Sequence, residues 1–204
     1  MTRAKDHAVS LDLGPALVQK LLPQRPPFLM VDRLVSWTPG QRPRCRTHRY
    51  LSANEPVFQG HFPQLPLMPG ALLVEGAGQT ASLVYTLGAI EEGYAERGLS
   101  RDEMLQDLQN LDRGLTLHPG YRPSQTPLND AFAQLSGMPV GVAGAVRFKF
   151  LSPVTPGCVL QYDATLTHRF DELLHFEVTA SVADRVVARG SLSAAIVAGV
   201  VPPK

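Results

Sequence analysis

The sequence predicts an α+β fold in which an antiparallel sheet wraps one long buried helix. Two observations carry this. The stretch from Gly70 to about Gly88 is proline-free and rich in Ala and Leu, and four strand-like runs follow later, the last three joined by short polar turns. With 204 residues, 44% of them hydrophobic and 18% charged, the chain can bury a sizeable core, and one domain over residues 1–204 is expected. A formal net charge of +1 argues against a nucleic-acid or membrane binder that acts through its overall charge. Cys45 and Cys158 lie far apart and fit neither a disulfide framework nor a metal-ligand spacing, and no metal or cofactor is expected. The start, MTRAKDHAVSLDLG, lacks the apolar segment of a secretory signal, and no apolar run reaches the roughly 18 residues of a membrane span, which makes the cytoplasm the expected location.

In order along the chain, SLDLGPALVQKLLP reads as a short helix, with Pro15 tolerated in its first turn and Pro23 ending it. PFLMVDRLVSW reads as a strand, TPGQ as a turn, and RPRCRTHRYL as a second strand with polar groups on one side. The Gly70–Gly88 stretch is long enough for about five helical turns, or ~28 Å, and is apolar nearly all round, so burial on every side is expected. VGVAGAVRFKFL, CVLQYDATLTHRF, LLHFEVTASVAD and VVARGSLSAAIVAGV are the four strand-like runs, and the turns at DE and DR make the last three a meander.

The chemistry concentrates in GHFPQLPLMPGALLVEGAGQ. Glu75 and Gln79 are four apart and project from one helix face, so the amide can orient the carboxyl. Apart from Glu75, no acid or base stands between His61 and Ile90. A glutamate at its reference pKa of about 4.3 is protonated in roughly one molecule in 500 at pH 7, so using it as an acid would cost ~3.7 kcal/mol, a cost that burial lowers. Imidazole, at about 6.5, is already mostly neutral and able to take a proton. The pair reads as a base and an acid. Between them, MPG ends a loop and starts the helix, leaving unpaired N–H groups near Gly70 where a substrate oxygen could sit. Taken singly, a loop histidine is more often a surface residue than a catalyst, and a helix glutamate more often faces solvent.

LLPQRPPFLMVDRLV, NEPVFQGHFPQLPLMPGALLVEGAGQ and RFKFLSPVTPG together resemble the FabZ and FabA family of 3-hydroxyacyl-[acyl-carrier-protein] dehydratases, over roughly residues 20–88 and 141–199. The resemblance implies a hotdog fold. It also implies that His61 removes the proton beside the thioester carbonyl, Glu75 protonates the departing hydroxyl, and Gly70 binds the carbonyl oxygen, with Gln79 supporting Glu75. The product would be a trans-2-enoyl thioester, within fatty acid or related polyketide or lipid biosynthesis. His61 and Glu75 of one site would come from two subunits of a homodimer, or of a higher assembly of dimers. Glu rather than Asp at position 75 resembles the FabZ branch. Gln24 and Pro26 depart from the family's usual histidine and aromatic, and Gly76 and Gly78 replace alanines at about 0.5–1 kcal/mol each, which suggests close backbone or ligand approach there. Two other readings are a hotdog thioesterase and a non-catalytic carrier-protein binder.

Residues 91–138 are longer than the family's usual connection. SRDEMLQDLQNL reads as a helix capped by Ser100, and TPLNDAFAQLSG as another with Thr126 as cap, Pro127 at the first helical position and Gly137 as stop, with TLHPGYRPSQ as loop between them. Such an insertion is either a wall of an acyl tunnel, lined by Met104, Leu108, Phe132 and Leu135, or an excursion that decorates the fold or contacts a second subunit. Arg147 and Lys149 alternate on one strand face and match a basic strand that the resembled family uses to dock acyl carrier protein. Arg42, Arg44 and Arg46 share a face of another strand, for which a solvated surface is the simpler reading.

Overall fold

The computed structural model describes residues 7–118, 120–122, 126–136 and 141–196. Its seven strands are β1 (Val9–Leu13), β2 (Arg33–Thr38), β3 (Arg44–Leu51), β4 (Gly141–Phe150), β5 (Cys158–Phe170), β6 (Leu173–Val182) and β7 (Arg185–Ile196). They form one sheet in the order β1-β2-β3-β5-β6-β7-β4, with every neighbouring pair antiparallel. The expected meander is β5-β6-β7. The helices are α1 (Pro15–Leu21), α2 (Val57–Gly60), α3 (Gly70–Glu96), α4 (Arg101–Leu117) and α5 (Pro127–Ser136). α3 lies across the inner face of the sheet, against β3, β4, β5 and β6, and one continuous apolar core joins it to Trp37, Leu160, Tyr162, Phe176 and Leu192.

The first expected helix is a strand followed by a shorter helix. Leu11 and Leu13 point inward while Ser10 and Asp12 point out, the period-2 pattern of a half-buried strand, and β1 pairs with β2. Proline is accommodated only at a helix start, and Pro15 begins α1. The strand expected from Pro27 begins only at Arg33, because the backbone before it bonds elsewhere: Met30 N–H and Phe28 C=O both bond the side chain of Gln79, at 2.7 and 2.8 Å.

α3 is eight residues longer than expected, running through Gly88 to Glu96. Leu87, Ile90 and Tyr94 are all buried, so core contacts carry the helix past that glycine. The stop is Gly98, at φ +74°, where Gly98 N–H bonds Ala95 O at 2.9 Å and Leu99 N–H bonds Tyr94 O at 3.0 Å. These two bonds form a Schellman motif. Nor is α3 buried on every side: Ala71 and Ser82 are exposed, and Val74, Glu75, Gly78, Tyr85 and Ala89 are only partly covered, so an open stripe runs along the face away from the sheet. The sheet itself requires one glycine on the buried side. A Cβ at Gly76 would stand 2.4 Å from the hydroxyl of the fully buried Tyr162.

The insertion is helical. Ser100 caps α4 with a complete capping box to Glu103, and α5 starts at Pro127 as expected. α4 continues to Leu117, so Thr116 and Leu117 are helix rather than loop. Gly137, expected to stop α5, lies outside the described residues.

Candidate active site

α2 is a single turn anchored by the buried Phe58, and the chain leaves it through His61. His61 N–H closes the turn on Val57 O at 3.0 Å, Phe62 and Leu65 exchange two bonds of 3.0 Å, and Leu67 N–H returns to His61 O at 2.8 Å. Met68 N–H then bonds Val154 O at 2.8 Å, tying this loop to the segment that follows β4. The His61 ring stacks on Phe62 with centroids 4.2 Å apart, and its Nδ1 lies 2.9 Å from Leu67 O. A carbonyl oxygen only accepts, so Nδ1 carries the hydrogen and Nε2 keeps the lone pair. The loop therefore presents the basic nitrogen.

Eight residues beyond His61, Pro69 is the N-cap of α3 and supplies no capping side chain, so the first-turn N–H groups from Gly70 onward have no intrahelical partner. Close packing requires glycine here, since a Cβ at Gly70 would stand 2.8 Å from the ring of Phe150. Five residues and ~7.5 Å further along the axis stands Glu75. Gln79, only 1% exposed, donates from Nε2 to Glu75 Oε1 at 2.9 Å and to Phe28 O at 2.8 Å, while its Oε1 accepts from Met30 N–H at 2.7 Å. The Met30 bond fixes which amide atom is oxygen, and both amide hydrogens are then in use. Because Oε1 of Glu75 already faces an N–H, a proton on this carboxyl belongs on Oε2.

The structure thus brings Glu75 and Gln79 into direct contact, and places Gly70 on the same helix. Among the described residues no hydrogen bond or ion pair joins His61 to Glu75; within one chain they stand on separate segments.

Arg147 and Lys149 occupy the opposite face of the sheet from α3. Their neighbour Phe150 meets Gly70, and side chains alternate along a strand. With Arg189, Glu177, Thr179 and Ser191 on adjacent strands they line a surface groove of about 370 Å³. Arg46 forks onto Asp163 at 3.0 and 3.2 Å and Arg42 pairs with Glu177 at 3.8 Å, consistent with a solvated, ion-paired sheet face.

Met104 and Leu108 of the insertion are consumed in the core rather than lining an open sleeve. Met104 and Leu108 are fully buried, and α4 packs on α1, β1 and α3. Polar contacts hold it there: Asp112 accepts from Gly14 N–H at the start of α1 at 2.9 Å, Tyr94 donates to Asp107 at 2.7 Å, and Arg101 pairs with Glu91. Burial and the adjacent Asp107 push the Tyr94 hydroxyl well above its usual pKa. Phe132 packs partly against the same core, and the side chain of Leu135 lies outside the described residues. Among the described residues no group of three or more His, Cys, Asp or Glu could hold a metal, and no helix is long and apolar enough to cross a membrane.

Arg49, Asp32 and Glu55 went unnoticed in the sequence. The signal was available, because strand alternation sets Arg49 on the same face as the buried Cys45, Thr47 and Leu51, and a cation on a core face needs partners.

A long helix wrapped by an antiparallel sheet, with a histidine loop at the helix start and an acid on the helix, is a hotdog fold. The dehydratase heterocomplex ApeI:P from Xenorhabdus doucetiae shares the fold, with a TM-score of 0.53 at 14% identity over 89% of this chain and 91% of that one. Residues 22–106 match the FabA-like domain. The chain is 51% identical over 70 residues to the 3-hydroxyacyl-[acyl-carrier-protein] dehydratase FabZ of Anaeromyxobacter sp. (strain K), covering 34% of this chain and 44% of the relative. It is 48% identical over 75 residues to FabZ of Geotalea uraniireducens, covering 37% and 50%, so these alignments span about half the length of the relatives they match. A longer alignment, to FabZ of Ruminiclostridium cellulolyticum, is 28% identical over 88% of this chain and 94% of the relative. Over residues 22–106 the chain is thus similar to the FabA-like domain, and the relatives it resembles carry the name FabZ.

Proposed function

We propose that this protein is a 3-hydroxyacyl-[acyl-carrier-protein] dehydratase that converts a (3R)-3-hydroxyacyl thioester to the trans-2-enoyl thioester and water. The observation that carries the reading is how the two reactive groups are held: Leu67 O accepts from His61 Nδ1 and leaves Nε2 free as a base, and Gln79 occupies Glu75 Oε1 and leaves Oε2 free toward a substrate. His61 Nε2 takes the proton from C2, the C2–H electrons form the C2–C3 double bond, and the C3–O bond breaks as Glu75 Oε2–H protonates the leaving hydroxyl. Negative charge gathering on the thioester oxygen is met by the Gly70 N–H at the positive end of α3. Proton transfer from the imidazolium back to the Glu75 carboxylate resets both groups.

The active unit in this reading is a homodimer in which His61 of one chain faces Glu75 of the other, supported by the absence, among the described residues, of a hydrogen bond or ion pair between them within a chain and by the open stripe of α3 beside Glu75. The groove around Arg147, Lys149 and Arg189 is the proposed docking surface for the acidic carrier protein.

The test is incubation with a 3-hydroxyacyl carrier-protein thioester followed by mass spectrometry. Loss of water is expected from the wild type, and at most a trace from folded His61→Ala and Glu75→Gln variants. Loss of the acyl group would point to a thioesterase, and retention of most of the wild-type rate by either variant would rule out the assigned roles.

A further inference from the structure

Three of the four inward positions of β3 hold Cys45, Thr47 and Leu51, all buried; the fourth holds Arg49, whose side chain is only 14% exposed. A guanidinium cannot shed its charge and here is paired twice. Its Nη1 donates to Asp32 Oδ1 at 2.9 Å and its Nη2 to Glu55 Oε2 at 2.7 Å. Each carboxylate is held at its other oxygen by a backbone N–H, Tyr50 to Asp32 Oδ2 at 2.7 Å and Ser52 to Glu55 Oε1 at 3.1 Å. Neither acid can follow the guanidinium without moving its own segment.

Those two segments hold the two reactive groups. Asp32 lies two residues beyond Met30, whose N–H, with Phe28 O, grips the Gln79 amide that orients Glu75. Glu55 leads directly into α2: Phe58 N–H bonds Glu55 O at 3.1 Å, and His61 N–H then closes on Val57 O. One cation thus bridges the segment that orients the acid and the segment that carries the base. The buried Tyr162 hydroxyl, which has no hydrogen-bond partner, lies against Gly76, next to Glu75.

We propose that Arg49 is a positioning residue that couples the acid-bearing and base-bearing segments through its fork to Asp32 and Glu55. The proposal rests on the dehydratase reading for its kinetic consequence and on geometry alone for the coupling. Lysine is not an equal substitute, since an ammonium offers a point charge where the two carboxylates meet a planar fork.

The experiment compares Arg49→Met, Arg49→Lys and Asp32→Asn with the wild-type chain by steady-state kinetics and by hydrogen exchange read by mass spectrometry. A misplacement near 1 Å can cost on the order of 100-fold, so Arg49→Met should lose about 10-fold to 100-fold in kcat, with KM changed far less and Arg49→Lys in between. Exchange should rise together in residues 25–32 and 52–62 while β5–β7 keep their protection. Asp32→Asn is the sharper arm, because a change confined to the first segment should raise exchange in the second. An Arg49→Met enzyme within about twofold of wild-type kcat, or an Asp32→Asn protein whose residues 52–62 exchange as in the wild type, overturns the proposal. If Arg49→Met does not fold, Arg49→Lys and Asp32→Asn decide it. If the wild type releases no water, the dehydratase reading fails and the exchange arm still decides the coupling.

Discussion

Gly76→Ala adds a methyl where the structure has no room for one. The new Cβ would stand 2.4 Å from the Tyr162 hydroxyl, 2.6 Å from Cζ and 2.9 Å from Cε2, all in a ring that is fully buried between β5 and α3. Gly88, in the same helix, is the control, because nothing lies within 4 Å of a Cβ built there. Alanine gains about 0.5–1 kcal/mol of helix propensity at either site, so this contribution cancels in the comparison. What remains is overpacking, typically ~1–3 kcal/mol. For a chain of this size that separates the two variants by about 2–12 °C in Tm, with Gly88→Ala the more stable. Adding Tyr162→Phe to Gly76→Ala should recover part of the loss, since it removes the nearest of the three contacts, and the hydroxyl has no partner to forfeit. The assay is thermal unfolding followed by circular dichroism. A Gly76→Ala protein that melts at or above Gly88→Ala would refute the packing argument.

Mixing His61→Ala with Glu75→Gln subunits should regenerate activity in verified mixed dimers, because some sites then hold an intact His61 and an intact Glu75; no recovery would exclude a shared site. Leu108→Ala, at a fully buried position of the insertion, should cost about 2–5 kcal/mol in denaturant unfolding, whereas a decorative α4 would lose well under ~1 kcal/mol. The Ser100 amide and hydroxyl hold the Glu103 carboxyl below its usual value of 4.5. The contribution of the ionised form is therefore complete above that value and lost as the pH falls through the lower folded one, and Glu103→Gln should flatten this part of the acid limb of a stability–pH profile.

Local chemistry and periodicity determined much of this molecule on their own. The meander, the start of α3 at MPG, the cap at Ser100 and the entry of α5 at Pro127 each depend on neighbouring residues, and all were legible in the sequence. So was the pairing of Gln79 with Glu75, because four residues is one helical turn. Tertiary contacts decided what competed with local preference. Gly88 reads as a helix end, yet burial of Leu87, Ile90 and Tyr94 carries α3 on to Gly98. Pro27–Asp32 has the composition of a strand, yet Gln79, 49 residues from Met30 in sequence, takes the Met30 N–H and the Phe28 carbonyl. The insertion's apolar residues read equally well as a tunnel wall, and only the packing of α4 on α1 and β1 assigns Met104 and Leu108 to the core. Arg49 shows the limit most plainly. Alternation marks it as an inward cation, but no rule of spacing pairs it with Asp32, 17 residues before it, and Glu55, six after it. Those partners are chosen by where the folded chain brings the two carboxylates, since a charge taken out of water is stabilised by whatever opposite charge the fold delivers to it.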